Sequence, residues 1–136
     1  MNTEKTCILI KPDAMENGKA GEIIRHFEQE NFQISGIKLI HLTDEILHKH
    51  YKNVSGEDFF SGLKIFMKSR PVMAIALKRE NAVEKARKMC GKNFQDNGTL
   101  RGKFATCPQK NAIHSSDSIE NAEKEIARFF NNSELF

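Results

Sequence analysis

A chain of 136 residues, 39% hydrophobic and 29% charged, has the size of one domain and is too apolar for general disorder. Its net charge of +3 and pI near 8.8 suit a small anionic ligand and are too mild to require nucleic acid as a partner. The apolar run Cys7–Ile10 is too short for a secretory signal or a membrane span. Cys7, Cys90 and Cys107 are scattered without a C-x-x-C pair, so a reducing, cytoplasmic setting is expected rather than a disulfide framework or zinc site.

In chain order, Thr6 to Ile10 reads as a β-strand stopped by Lys11-Pro12-Asp13, where proline cannot donate to a ladder and favours a turn. After Gly18, the stripe Ala20, Ile23, Ile24 and Phe27 predicts a helix, with Glu22, Arg25 and Glu28 facing away and Asn31 as its stop. Phe32, Ile34, Ile37 and Leu39 alternate with a phase break at Gly36, which predicts a strand with a bulge. Thr43 caps a helix whose face is Ile46, Leu47, His50, Tyr51 and Val54; another follows through Phe59, Phe60, Leu63, Phe66 and Met67 and ends before Arg70-Pro71. A strand spans 72–77. Asn81 with Glu84 has the cap spacing of a helix that buries Val83, Ala86 and Cys90 and ends at Gly91. Lys92 to Lys103 reads as irregular, Asn111 to Ser115 as a short sheet edge, and Ile119, Ala122, Ile126, Phe129 and Phe130 as the face of a last helix. The order predicts one α+β domain over 1–136: a ferredoxin-like βαββαβ antiparallel sheet with helices on its faces and an added helical pair.

The loop G-x-x-x-x-G-K-[ST] is absent, so phosphate chemistry would have to use side-chain cations. His41, His48 and His50 do not read as metal ligands, because His48 and His50 diverge by about 200° on a helix. In "NAIHSSDS", His114 precedes Ser116, Asp117 and Ser118 at a helix start, where hydroxyls and backbone N–H groups meet an anion. A neutral imidazole there is a nucleophile if an acceptor orients one ring nitrogen, and Glu125 is a candidate acceptor. On spacing alone, a structural or solvated histidine is the more usual outcome.

The strings "TCILIKPDA", "HYKNVSGEDFF", "FMKSRPVMAIALKRENAVEKARKMCG", "GTLRGKFA" and "NAIHSSDSIENAEKEIARFF" resemble, in order and spacing, the nucleoside diphosphate kinase family, from Thr6 to Phe130. The resemblance implies a ping-pong exchange that moves the γ-phosphate of a (deoxy)nucleoside triphosphate onto His114 and then onto a nucleoside diphosphate. It implies that Lys11 reaches the ribose and the transferring phosphate, that Arg87 and Arg101 grip phosphate oxygens, and that Asn111 binds the sugar. Tyr51 would stand beside the transferred phosphate, Phe59 would stack on the base, and Ser116 and Glu125 would hold the nucleophile. Further implications are a magnesium ion carried on the nucleotide phosphates, no protein metal ligands, and a homo-oligomer, tetramer or hexamer. The loop between Gly91 and Gly98 is shorter than is usual for the family, Asn93 falls where a phosphate-contacting threonine is expected, and Glu57 replaces a basic residue. Two other readings are a catalytically silent relative and a ferredoxin-like binding module using Tyr51, Phe59 and the lysines as a platform.

Overall fold

The computed structural model describes residues 3–136. Strands β1 (Thr3–Ile10), β2 (Gln33–Ile40), β3 (Val72–Glu80) and β4 (Ile113–Ser115) form one sheet in the order β2-β3-β1-β4, and every neighbouring pair is antiparallel. This is the expected ferredoxin-like plan. Successive side chains of the central strand β1 go to opposite faces, so its apolar run feeds two cores at once. Ile8 and Ile10 pack with Ile23 and Phe27 of α2 (Ala20–Gln29), Ala86 of α5 (Ala82–Cys90) and Phe104 of α6 (Leu100–Phe104). Cys7 and Leu9 pack with Leu47 of α3 (Asp44–His50), Phe60 and Met67 of α4 (Phe60–Lys68), and Ile126 and Phe129 of α7 (Ile119–Phe129). The added pair α3 and α4 thus shares a face with α7.

The expected bulge is present as a register shift between Ile34 and Gly36, and the C-terminal tail runs close over it: a Cβ on Gly36 would lie 2.9 Å from the Glu134 carbonyl oxygen. Strands β1 and β3 are longer than predicted, because pairing from Thr3↔Glu80 to Ile10↔Met73 carries polar ends that show no apolar signal. Other differences are local. Lys11-Pro12-Asp13 opens a short helix α1 (Pro12–Glu16) instead of a turn, since proline at the first helical position lacks only an N–H that the helix does not use. Helix α3 ends at His50, and Val54 belongs to a separate 3-10 turn, Lys52–Val54. Asn81 has φ 57° and makes no side-chain cap; the Val83 N–H donates instead to Glu4 Oε1 of β1 at 2.9 Å. Within the stretch read as irregular, α6 forms because Thr99 Oγ1 accepts the Gly102 N–H at 3.1 Å. Among the described residues no helix is long and apolar enough to cross a membrane.

Gly91 closes α5 at φ 78°, and a Cβ there would lie 2.2 Å from Thr99 Oγ1. Gly91→Ala is expected to lower stability by at least about 1–3 kcal/mol from the backbone alone, measured by urea unfolding; an unchanged midpoint would contradict the close approach of α5 to the start of α6.

Candidate active site

Antiparallel pairing sets His114 opposite Leu9 on edge strand β4, and the chain then turns into α7, whose start is capped by Ser118 Oγ accepting the Asn121 N–H at 3.0 Å. Glu125 lies on the inward face of α7 beside Ile126. From there its Oε1 meets His114 Nε2 at 2.9 Å and accepts the Ser116 hydroxyl at 2.7 Å. Ser116 Oγ in turn accepts the Cys7 N–H at 3.2 Å, which ties the group to the central strand. The His114 side chain is 19% exposed and opens on a cavity of about 930 Å³ also lined by His50, Tyr51, Arg87, Asp117 and Arg128.

Burial pulls His114 below the ordinary imidazole range, against the raising effect of Glu125. For Glu125, burial acts upward, but bonds from His114 and Ser116 outweigh it and hold the carboxyl below its usual value. The pair at neutral pH is therefore a neutral imidazole and a carboxylate. Only an N–H can satisfy a carboxylate, so Nε2 carries the proton and Nδ1 keeps its lone pair.

The cations come from three elements. Lys11, at the end of β1, is buried, and its Nζ donates to Asn111 Oδ1 at 2.7 Å. Burial, reinforced by Arg101, pulls its pKa down to about 8. Asn111, Ala112 and Ile113 form a tight γ-turn: Ala112 has φ 73°, the Ile113 N–H donates to the Asn111 carbonyl at 2.8 Å, and the Lys11 N–H donates to the Ala112 carbonyl at 2.8 Å. Such a turn on a non-glycine residue stores about 1–3 kcal/mol of strain. Arg101 of α6 donates to the Ile113 carbonyl at 2.9 Å and the Gly91 carbonyl at 3.2 Å. Arg87 of α5 donates to the Ser115 carbonyl at 3.3 Å. Both arginines line a second cavity of about 510 Å³ with Gly91, Lys92 and Asp96.

Tyr51 follows α3, and its hydroxyl is buried with no partner among the described residues; burial pushes its pKa up to about 12, so it remains a donor. Phe59 stands at the α4 N-cap, 54% exposed, while Phe60 is 3% exposed, the division expected of adjacent aromatics at a helix start. Asn93 is exposed, and its Oδ1 accepts the Gln95 N–H at 2.8 Å. Neither Phe59 nor Asn93 lines either cavity. The fold thus gathers His114, Glu125, Ser116, Tyr51, Arg87, Arg101, Lys11 and Asn111 around β4, and leaves Asn93 turned into its own loop.

Two residues of the site escaped the sequence reading. His50 packs on His114 with ring centroids 4.4 Å apart at 69°, and Arg128 Nη1 donates to its Nδ1 at 3.1 Å. Burial, with the nearby His114 acting the same way, pulls His50 down to about 3. Its only sequence signal was a place on the inward stripe of α3 next to Tyr51, which any core residue could share.

His50, His114 and Glu125 each bring one ligand atom within 4.8 Å of the others. Their rings pack edge to face instead of aiming lone pairs at one point, and Arg128 and Lys11 add positive charge to the same space, so the donor set does not fit a resident cation. Magnesium prefers oxygen ligands and keeps much of its water. Glu125 is already engaged, and Asp117, which accepts from Asn121 at 2.6 Å, is the other carboxylate lining the cavity. Among the described residues the cavity therefore offers few free oxygen ligands to hold such an ion by itself.

A family model for nucleoside diphosphate kinase matches residues 4–135. Nucleoside diphosphate kinase A of Rattus norvegicus is 44% identical over 98% of this chain and 90% of that protein. Among solved structures, the nucleoside diphosphate kinase of Aquifex aeolicus superposes with a TM-score of 0.93 at 38% identity, covering 99% of this chain and all of the other. A halophilic nucleoside diphosphate kinase from Halobacterium salinarum, in complex with CDP, superposes at 0.95 with 33% identity, covering 99% and 92%.

Glu125 is the group that raises the His114 pKa. In Glu125→Gln that pKa is expected to fall further, while His50 stays neutral down to about pH 3 in either protein. Histidine 15N shifts followed through a pH titration check both; a His114 pKa that rises in the variant would refute the pairing.

Proposed function

The chain belongs to the nucleoside diphosphate kinase family, and from that premise we propose that it transfers phosphoryl groups between (deoxy)nucleoside triphosphates and diphosphates by a ping-pong route through a phosphohistidine on His114. The observation that carries this reading is the His114–Glu125–Ser116 chain: with Nε2 held by Glu125 at 2.9 Å, Nδ1 is the nitrogen with a free lone pair. In the first step Nδ1 attacks the γ-phosphorus, the bond to the bridging oxygen breaks, and the diphosphate leaves with that electron pair. In the second, a terminal oxygen of a different diphosphate attacks the same phosphorus, and the N–P electrons return to Nδ1. Glu125 stabilises the ring while it carries charge.

Donor and product anhydrides are nearly equal in energy, so the work of the site is positioning and charge neutralisation. Arg87 and Arg101 present planar guanidinium groups that donate paired bonds to phosphate oxygens. Lys11 stands between sugar and transferring phosphate beside Asn111, and the unpartnered, protonated Tyr51 hydroxyl is a donor awaiting a phosphate oxygen. The exposed face of Phe59 offers base stacking, which tolerates purines and pyrimidines alike. Bound magnesium would supply further neutralisation of the β- and γ-oxygens. Asn93 would need its loop to rearrange before its side chain met a phosphate.

Edge strand β2 exposes Ile37 at 45% and Leu39 at 59%, apolar surface on an unpaired edge, and this supports a homo-oligomer. The binding-module reading has no such support, since Tyr51 and Phe59 lie off the sheet strands.

Brief incubation with ATP and magnesium at mildly alkaline pH is expected to add the mass of one phosphoryl group, absent in His114→Ala and lost on addition of a nucleoside diphosphate. No gain in the native chain would overturn the phosphohistidine route. Asn93→Ala is expected to change the nucleotide KM by no more than about twofold, as for an exposed residue outside the site; a rise well beyond that in steady-state assays would place Asn93 on the phosphates.

A further inference from the structure

Asp13 lies in the first turn of α1, has 7% exposure, and belongs to none of the contacts ascribed to substrate above. Its Oδ2 accepts the Ala112 N–H at 3.1 Å. Because the Ala112 carbonyl accepts the Lys11 N–H at 2.8 Å, both polar groups of this one residue are held by the β1–α1 junction. Ala112 is also the residue with φ 73°, and a left-handed alanine persists only where its surroundings over-determine it. On one side of it Asn111 reaches the Lys11 ammonium at 2.7 Å. On the other, Ile113 enters the ladder that carries His114 opposite Leu9. The grip on Ala112 therefore sets where both flanking groups stand.

The second oxygen, Oδ1, is buried with no partner among the described residues, an expensive arrangement that packing alone does not reward. It shares its surroundings with charged groups. Lys11 is faced by Arg101 from α6, which opposes its protonation, and by Asp13 from α1 and the Cys90 thiol from α5, which favour it. Burial pushes the Asp13 carboxyl above its usual value, while the backbone N–H groups of Asp13 and Ala14, the Lys11 charge and the Ala112 N–H act to hold it down.

We propose that Asp13 is a positioning residue for phosphoryl transfer, whose carboxylate holds the strained turn at Ala112 and so sets Asn111 against Lys11 and aims the strand that bears His114. The proposal rests on the kinase activity of the chain and not on the phosphohistidine route, because steady-state turnover measures it whichever way the phosphoryl group travels. Intact-mass detection of phosphorylated His114 in the unaltered protein tests that route separately.

Asp13→Ala loses both the acceptor and the charge. Its kcat is expected to fall about 10–100-fold, the scale of a misplacement on the order of 1 Å, in protein shown by circular dichroism to be folded. Adding Ala112→Gly, which adopts positive φ without a Cβ penalty, is expected to restore part of that kcat. Asp13→Asn keeps an oxygen for the Ala112 N–H but removes the charge that favours protonated Lys11. Lys11 is charged below its pKa of about 8 and loses its proton above it, so in Asp13→Asn the alkaline limb of kcat/KM is expected to move to lower pH. A folded Asp13→Ala with kcat within about twofold of the unaltered protein, or a loss that follows only the unfolded fraction and gains nothing from Ala112→Gly, would overturn the proposal. If Asp13→Ala does not fold, Asp13→Asn decides, and an unmoved alkaline limb overturns it.

Discussion

A neutral imidazole bonded to a buried carboxylate, at the edge of an antiparallel sheet, is the constraint on which the rest of this structure depends. The Glu125 carboxylate is shared between His114 and Ser116, and Ser116 is bonded to the backbone of the central strand. A carboxylate with two donors stays ionised despite burial, and an imidazole with one nitrogen committed to that carboxylate has only the other to offer. Burial, which ordinarily penalises polar groups, here selects a tautomer.

The same burial shapes the cations. Lys11, Arg87 and Arg101 come from β1, α5 and α6, and each is steadied by neutral acceptors: the Asn111 side chain and the Ser115, Ile113 and Gly91 carbonyls. Carbonyl partners orient a guanidinium without cancelling its charge, whereas a carboxylate partner would neutralise it. Ion pairs elsewhere on the molecule, such as Lys49–Glu45 and Lys124–Glu120 on helix surfaces, are solvated and contribute little. Asp13, the acid that acts on Lys11, is spent on the backbone of Ala112.

Much of the fold was legible because its signals are periodic. The β1 run, the stripes of α2 and α7, the phase break at Gly36 and the Thr43 and Ser118 caps all act over a few residues, and the structure follows them. What escaped are elements that local pattern does not specify. Helix α1 has one turn and begins at a proline that reads equally as a stop. Helix α6 lies in a polar stretch, and its one pair of buried apolar residues, Leu100 and Phe104, is too short to read as a stripe. Asn81 had the spacing of a cap, but its left-handed backbone turned the side chain away and a distant residue, Glu4, took the role.

The candidate site divides in the same way. By itself the sequence determined which chemistry the chain carries: a histidine beside serines and acids at a helix start, arginines and a lysine in place of a phosphate loop, and a pattern of motifs that resembles one family from end to end. Those facts depend only on residue types and spacing. Only the tertiary structure decided which nitrogen of His114 is free, that His50 and Arg128 stand behind it, that the Asn93 oxygen turns into its own loop, and that Asp13 holds the turn at Ala112. Each of these joins groups from different strands, helices or loop positions, some as far apart as Asp13 and Ala112, and no local periodicity encodes a hydrogen bond between segments that meet only when the sheet closes.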